Sequence, residues 1–236
     1  MSSNNGRTYF RNISIVDNQK IEEHITFIRI NPIDIALTLR DVFNSLSDLS
    51  WIDNFDAEYI KSSFGVRAEA TVKYIAENII RNVDNSITTD SGEYVVSELA
   101  RKSIVRELDY LDIPLGELIK EQKSGNPGFD FYSESKKQIL LYGEAKYSSS
   151  RNAYGVAFEQ IVRFEQEKRD HADLVDIDRF CSRIALNNVM NGQKGFIAAF
   201  ASKNIPTSTL INNIKNNIHF KILSQFEELI CIAVNL

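Results

Sequence analysis

The chain has 236 residues, 43% of them hydrophobic and 25% charged, a balance that fits one compact domain with a core of ordinary depth and excludes a disordered chain. Its longest apolar runs, Gly195 to Ala201 and Leu229 to Val234, fall far short of the roughly 18 to 20 residues of a membrane span, and the polar start Met1 to Arg7 lacks a secretory signal, so a cytoplasmic protein with no membrane partner is expected. The net charge of -5 argues against coating nucleic acid by bulk electrostatics, while two distant cysteines (Cys181, Cys231) and three scattered histidines make a disulfide framework or a structural zinc site unexpected.

In chain order, Thr8 to Val16 and Glu23 to Ile30 cluster β-formers around the polar Asp17 to Lys20, which predicts an N-terminal hairpin with its turn there. Ile33 to Leu46 and Val66 to Val83 carry apolar residues at helical spacing. Ser91 stands where an N-cap belongs, ahead of a periodic stretch from Glu93 to Leu111. Leu115 to Glu121 reads as a strand closed by the turn signal Lys123 to Pro127, and two further strands follow, Gly128 to Tyr132 and Gln138 to Lys146. Helices are expected over Ala153 to His171 and Asp176 to Met190, and strands over Gly195 to Ala201 and Glu228 to Val234. Strands alternating with helices in this order predict an α/β fold with a mixed sheet. The pattern divides into an N-terminal hairpin-plus-helices region, 1–85, packed on a core, 86–236.

Charge is unevenly spread. From Arg179 to Phe226 there is no acid, while Arg179, Arg183, Lys194, Lys203, Lys215 and Lys221 are basic; removing these six from 27 basic residues leaves 21 against 32 acids in the rest. Lys194, Lys203, Lys215 and Lys221 are therefore candidates for a surface that registers a phosphate backbone, with a chance clustering as the plain alternative.

Three polar residues sit where strands ought to be apolar: Asp130 between Phe129 and Phe131, and Glu144 and Lys146 at the end of the run Ile139 to Tyr142. Strand side chains repeat every second residue, so Glu144 and Lys146 project from one face. If the hairpin sets Asp130 beside Glu144, two carboxylates and an ammonium converge. Carboxylate oxygens suit Mg²⁺ or Mn²⁺, and an adjacent lysine orients an attacking water and offsets charge on a phosphate. That combination fits metal-assisted phosphodiester hydrolysis. The plain alternative is a solvated hairpin end with an incidental ion pair.

The elements Pro127-Gly128-Phe129-Asp130 and, thirteen residues on, Glu144-Ala145-Lys146 resemble the signature of the PD-(D/E)xK nuclease superfamily, although Pro127 lies three places before the acid instead of next to it. The resemblance implies a restriction-endonuclease-like αβββαβ core and a DNA nuclease whose metal is held by Asp130, Glu144, Ala145 and a glutamate from the preceding helix. For that glutamate, Glu93 shares the stripe of Val96, Ala100, Ile104 and Leu111, whereas Glu98 lies beside Arg101, Lys102 and Asp109, so Glu93 is preferred and Glu98 is the fallback. Gln160, followed by Phe164, resembles the Gln-x-x-x-aromatic element of the RecB-like branch. With its hairpin-plus-helices start and its Gly92-Glu93 helix opening, the chain as a whole is similar to the nuclease subunits of Hachiman-type anti-phage systems. That similarity implies a partner helicase holding the nuclease inactive. A stand-alone dimeric endonuclease of restriction or resolvase type, and a non-catalytic adaptor on the same fold, are the competing expectations. No motif implies a small-molecule cofactor.

Overall fold

The computed structural model describes residues 12–77, 89–120, 128–148, 153–203 and 205–236, with the side chains of 89–91 left aside. Its centre is a six-stranded mixed sheet formed by β1 (Ile13–Glu22), β2 (Ile25–Pro32), β3 (Phe131–Glu134), β4 (Leu140–Lys146), β5 (Gly195–Ser202) and β6 (Glu228–Asn235), in the spatial order β1-β2-β6-β5-β4-β3. The four inner strands run parallel, and an antiparallel hairpin partner closes each edge. β5 and β6 are almost continuously buried because helices cover both faces, which is why their sequences read as unbroken apolar runs.

The helices are α1 (Ile35–Ser47), α2 (Glu58–Ile75), α3 (Thr89–Leu108), α4 (Gly116–Ile119), α5 (Ala153–Gln166), α6 (Arg169–Ala172), α7 (Leu174–Ile177), α8 (Arg183–Met190), α9 (Thr207–Asn216) and α10 (Ile218–Leu223). On one face, Tyr142, Phe196, Ala198 and Cys231 pack under Phe158 and Ile161 of α5 and Phe220 of α10. On the other, Leu141, Ala145, Ile197 and Ile232 pack under Val96, Leu99 and Ala100 of α3 and Val42 of α1. The N-terminal hairpin belongs to this same sheet, since β2 pairs with β6 from Ile25 opposite Leu229 to Ile30 opposite Val234.

Several expectations need correction. The hairpin turns at Glu22 to Ile25, not at Asp17 to Lys20; those polar residues continue β1, an outer strand whose charged, largely exposed positions suit a sheet edge, and residues 8–11 lie outside the described residues. The second helix begins at Glu58, eight residues early. Its start is pinned by Phe64, which packs with Trp51, Phe55 and Phe180 in one aromatic cluster, and the expected end at Val83 lies outside the described residues. Ser91 falls inside α3, which begins at Thr89, so it is not the N-cap. The helix ends at Leu108, short of Leu111, because Asp109 takes a left-handed φ of 56°.

The strand expected over Leu115 to Glu121 is absent as far as it is described. Gly116 to Ile119 make the single turn α4, which drives Leu118 and Ile119 into opposite cores, and residues 121–127, with the expected turn and Pro127, lie outside the described residues. Among the described residues two strands, not three, therefore stand between α3 and α5. The long helix expected to reach His171 stops at Gln166, where Lys168 adopts φ 57°, and α8 starts only at Arg183, behind a Ser182 side chain that accepts from the Ala185 amide. The α/β class and the mixed sheet stand. Among the described residues no helix is long and apolar enough to cross a membrane.

Candidate active site

The β3–β4 hairpin sets the geometry. Phe131 pairs with Gly143, so Asp130, the residue before β3, stands opposite Glu144 at the next position. The Asp130 amide donates to the Gly143 carbonyl at 2.9 Å, and the Asp130 side chain accepts from the Ala145 amide at 2.7 Å through Oδ2. Ala145 buries its methyl under α3, which leaves its carbonyl as the one donor it can offer a cation.

Glu144 and Lys146 share the strand face of Tyr142. Glu144 has no exposed surface, and its Oε1 lies 2.8 Å from Lys146 Nζ. That approach makes an ion pair but lacks hydrogen-bond geometry, so neither Glu144 oxygen has a hydrogen-bonding partner. Lys146 Nζ also donates to Glu93 Oε1 at 3.3 Å, across the gap from β4 to the first turns of α3. Glycine makes that approach close: a Cβ on Gly92 would collide with the ring of Tyr147, the residue after Lys146. Asp130, Glu144, Lys146 and Glu93 are thus brought to one end of the sheet.

A fifth residue joins them that the sequence reading placed on a strand. Glu117 sits on α4, which is tied to the hairpin by a 2.7 Å bond from the Gly116 amide to the Asp130 carbonyl; a Cβ on Gly116 would stand 2.6 Å from the Phe129 carbonyl. Glu117 Oε2 is enclosed and has no partner. Beside it Lys120 pairs with Asp173 at 2.8 Å, and Asp173 also accepts from the Tyr132 hydroxyl at 2.6 Å and from the Phe129 amide at 3.1 Å. That network fixes the loop carrying Asp130. No motif signals Glu117; the one available hint is an acid in the apolar run from Ile113 to Ile119.

The charges are frustrated. Burial lifts the Asp130 carboxyl to about 6, against the pull of Lys146 and the Ala145 amide. Burial and the neighbouring Asp130 charge push Glu144 well above the carboxylate range and lift Glu117 to about 8. Burial works against the Lys146 ammonium, but Glu144, Asp130 and Glu93 outweigh it and hold the lysine above its ordinary value. Among the described residues no three acids are drawn together tightly enough to hold a metal as they stand, and Lys146 occupies the place between Glu144 and Glu93.

The other expected residues lie elsewhere. Glu98, the fallback, is fully buried on α3 and bound twice by Arg101, with Nε at 2.8 Å and Nη2 at 2.7 Å, and once by the Ser45 hydroxyl at 2.5 Å; it is a saturated core ion pair between α3 and α1. Gln160 lines a groove between α5 and α10 with Val156, Arg163, His219 and Ile222. Lys194 is 5% exposed and bonded to Asp170 at 2.6 Å and Glu165 at 3.0 Å, so its charge is spent inside the fold and not offered to phosphates. Lys203, Lys215 and Lys221 are exposed. Comparison of the chain with family models, curated proteins and solved structures finds no match.

Proposed function

We propose that the protein is a metal-dependent nuclease that hydrolyses phosphodiester bonds of DNA at the cluster of Asp130, Glu144, Lys146 and Glu93. One observation carries this reading: the Glu144 carboxylate is sealed from water beside Asp130 and Lys146 without a hydrogen-bonding partner. A buried carboxylate in that state is costly to a fold unless a ligand completes it. Hard oxygen donors on Asp130, Glu144 and Glu93, with the Ala145 carbonyl, fit Mg²⁺ or Mn²⁺. Such an ion, when bound, polarises the phosphoryl oxygens and lowers the pKa of a water held on it.

The chain's own residues supply the rest. The Ala145 amide fixes Asp130, so its second oxygen is aimed by the backbone and not by a flexible rotamer. Glu144 is held rigid by β4 between β3 and β5. Lys146, kept cationic by three carboxylates, orients a water for in-line attack and offsets the charge that grows on the phosphoryl oxygens. With a cation held by Asp130 and Glu144, the Lys146 ammonium, which lies 3.3 Å from Glu93, would offset the charge of a phosphate bound beside it.

Purified protein incubated with supercoiled plasmid and Mg²⁺ or Mn²⁺ should nick it, and Glu144→Gln and Lys146→Ala should each reduce the rate by at least a hundredfold. Wild type and variants equally inert on DNA and RNA would favour the adaptor. The finer proposal, an anti-phage effector restrained by a helicase, is supported by the motif resemblance. It predicts that any helicase encoded beside it suppresses nicking, whereas a stand-alone dimeric enzyme would cut at the same rate with or without that partner.

A further inference from the structure

Four carboxylates, Glu93, Glu117, Asp130 and Glu144, meet at this end of the sheet, and the two ammonium groups beside them are committed, Lys146 to Glu144 and Glu93, Lys120 to Asp173. Acids therefore outnumber the cations that could pair with them. Glu144 is wholly buried, its Oε1 ion-paired with Lys146 and its Oε2 without a partner, and Glu117 Oε2 is likewise enclosed without a hydrogen-bond partner. Packing does not explain the Glu117 carboxylate. The backbone of α4 is secured independently, by the Gly116 amide on the Asp130 carbonyl and by the Thr71 hydroxyl donating to the Glu117 carbonyl at 2.8 Å. A neutral side chain of the same shape would leave those bonds intact and remove an acid whose enclosed Oε2 has no hydrogen-bond partner.

We propose that Glu117 is a ligand of the same hard divalent cation as Asp130 and Glu144, a carboxylate of the metal site lying outside the Asp-Glu-x-Lys signature. The inference rests on the nuclease reading and adds a residue to its site. A cation placed between Asp130 and Glu144 gives the orphaned Glu117 oxygen the partner it lacks, and α4 is then a third wall of the site, beside the hairpin and α3. Because α4 and Asp130 are joined through one backbone hydrogen bond, the two acids shift together.

Calorimetric titration of the full chain with Mn²⁺ at pH 8, on wild type, Glu117→Gln and Glu144→Gln, tests this. Wild type is expected to bind, Glu144→Gln to lose binding, and Glu117→Gln to bind at least tenfold more weakly. In thermal melts without metal Glu117→Gln should unfold at a higher temperature than wild type, with a smaller rise on adding Mn²⁺; a merely structural Glu117 would lower the metal-free melting temperature instead. Wild-type Mn²⁺ affinity in Glu117→Gln, with binding lost in Glu144→Gln, overturns this inference and leaves the nuclease reading standing. Absence of Mn²⁺ binding by wild type overturns both.

Discussion

Helix α3 carries two glutamates in opposite settings, Glu98 fully buried in the core and Glu93 part-exposed at the rim of a buried acidic cluster. At Glu98 every demand is met: Arg101 grips both oxygens, Ser45 adds a hydroxyl, and Arg101 is shared with Asp112 and the Ile113 carbonyl. Near the start of the same helix Glu93 contacts Lys146 at the rim of a cluster in which Glu144 and Glu117 have enclosed oxygens with no hydrogen-bond partner. A saturated buried acid holds elements together, and an unsaturated one points to something that is to arrive. The difference separates a structural ion pair from a candidate site more cleanly than residue type does, since both contain glutamates and a cation.

The largest effect should come from breaking the saturated pair. Arg101→Ala leaves Glu98 buried and uncompensated and should cost about 3–5 kcal/mol in chemical denaturation, without altering Mn²⁺ affinity in whatever fraction stays folded. Lys194→Met should cost about 3 kcal/mol, because Asp170 is left buried without its cation, and should not change the salt dependence of DNA binding. A changed salt slope would return Lys194 to the phosphate-facing surface.

The unsaturated cluster should show itself through pH. Glu117 is lifted from 4.5 to about 8 and Asp130 from 3.8 to about 6 in the folded chain, so between those values the native state holds protons that the unfolded chain has released. As far as these groups decide it, metal-free stability should therefore be highest below about pH 4, where both acids are protonated in the folded and unfolded chain alike, and fall as pH rises to about 8, by on the order of 2 kcal/mol after allowing for partial exposure. Glu117→Gln should flatten that slope in denaturation curves taken at several pH values. The smallest effect is expected at the surface. Lys215→Gln with Lys221→Gln should change stability by no more than about 0.5 kcal/mol, and should lower the slope of log affinity against log salt by about 1 per lysine that meets a phosphate.

Much of the site geometry was legible in the sequence because strand periodicity is strict. An acid amid phenylalanines at Asp130 and an Glu-x-Lys at the end of an apolar run have to meet once the two runs form a hairpin, and β3 and β4 do so with Phe131 opposite Gly143. Helical periodicity preferred Glu93 as the helix glutamate of the site, and the fold brings it within 3.3 Å of Lys146. It misjudged Glu98, because the side of α3 away from the sheet is covered by α1, and no periodicity within α3 reveals which neighbour will cover it. Glu117 was hidden because a short apolar run such as Ile113 to Ile119 fits a buried strand or a buried helical turn equally well. Lys194 was misread because its partners, Glu165 and Asp170, lie outside the acid-free segment, so counting charge along the chain could not find them. The break of the helices after Gln166 needed knowledge of the left-handed Lys168, a backbone state that lysine does not advertise.

The most direct test is equilibrium denaturation of wild type and Glu144→Gln, each in EDTA and in Mn²⁺. If Glu144 is buried for a cation, Glu144→Gln should be the more stable protein in EDTA, by about 1–3 kcal/mol, and the ranking should reverse in Mn²⁺. A Glu144→Gln variant less stable than wild type in EDTA, with Mn²⁺ shifting neither protein, would show that this carboxylate serves the fold alone and would contradict the assignment of the cluster as a metal-dependent site.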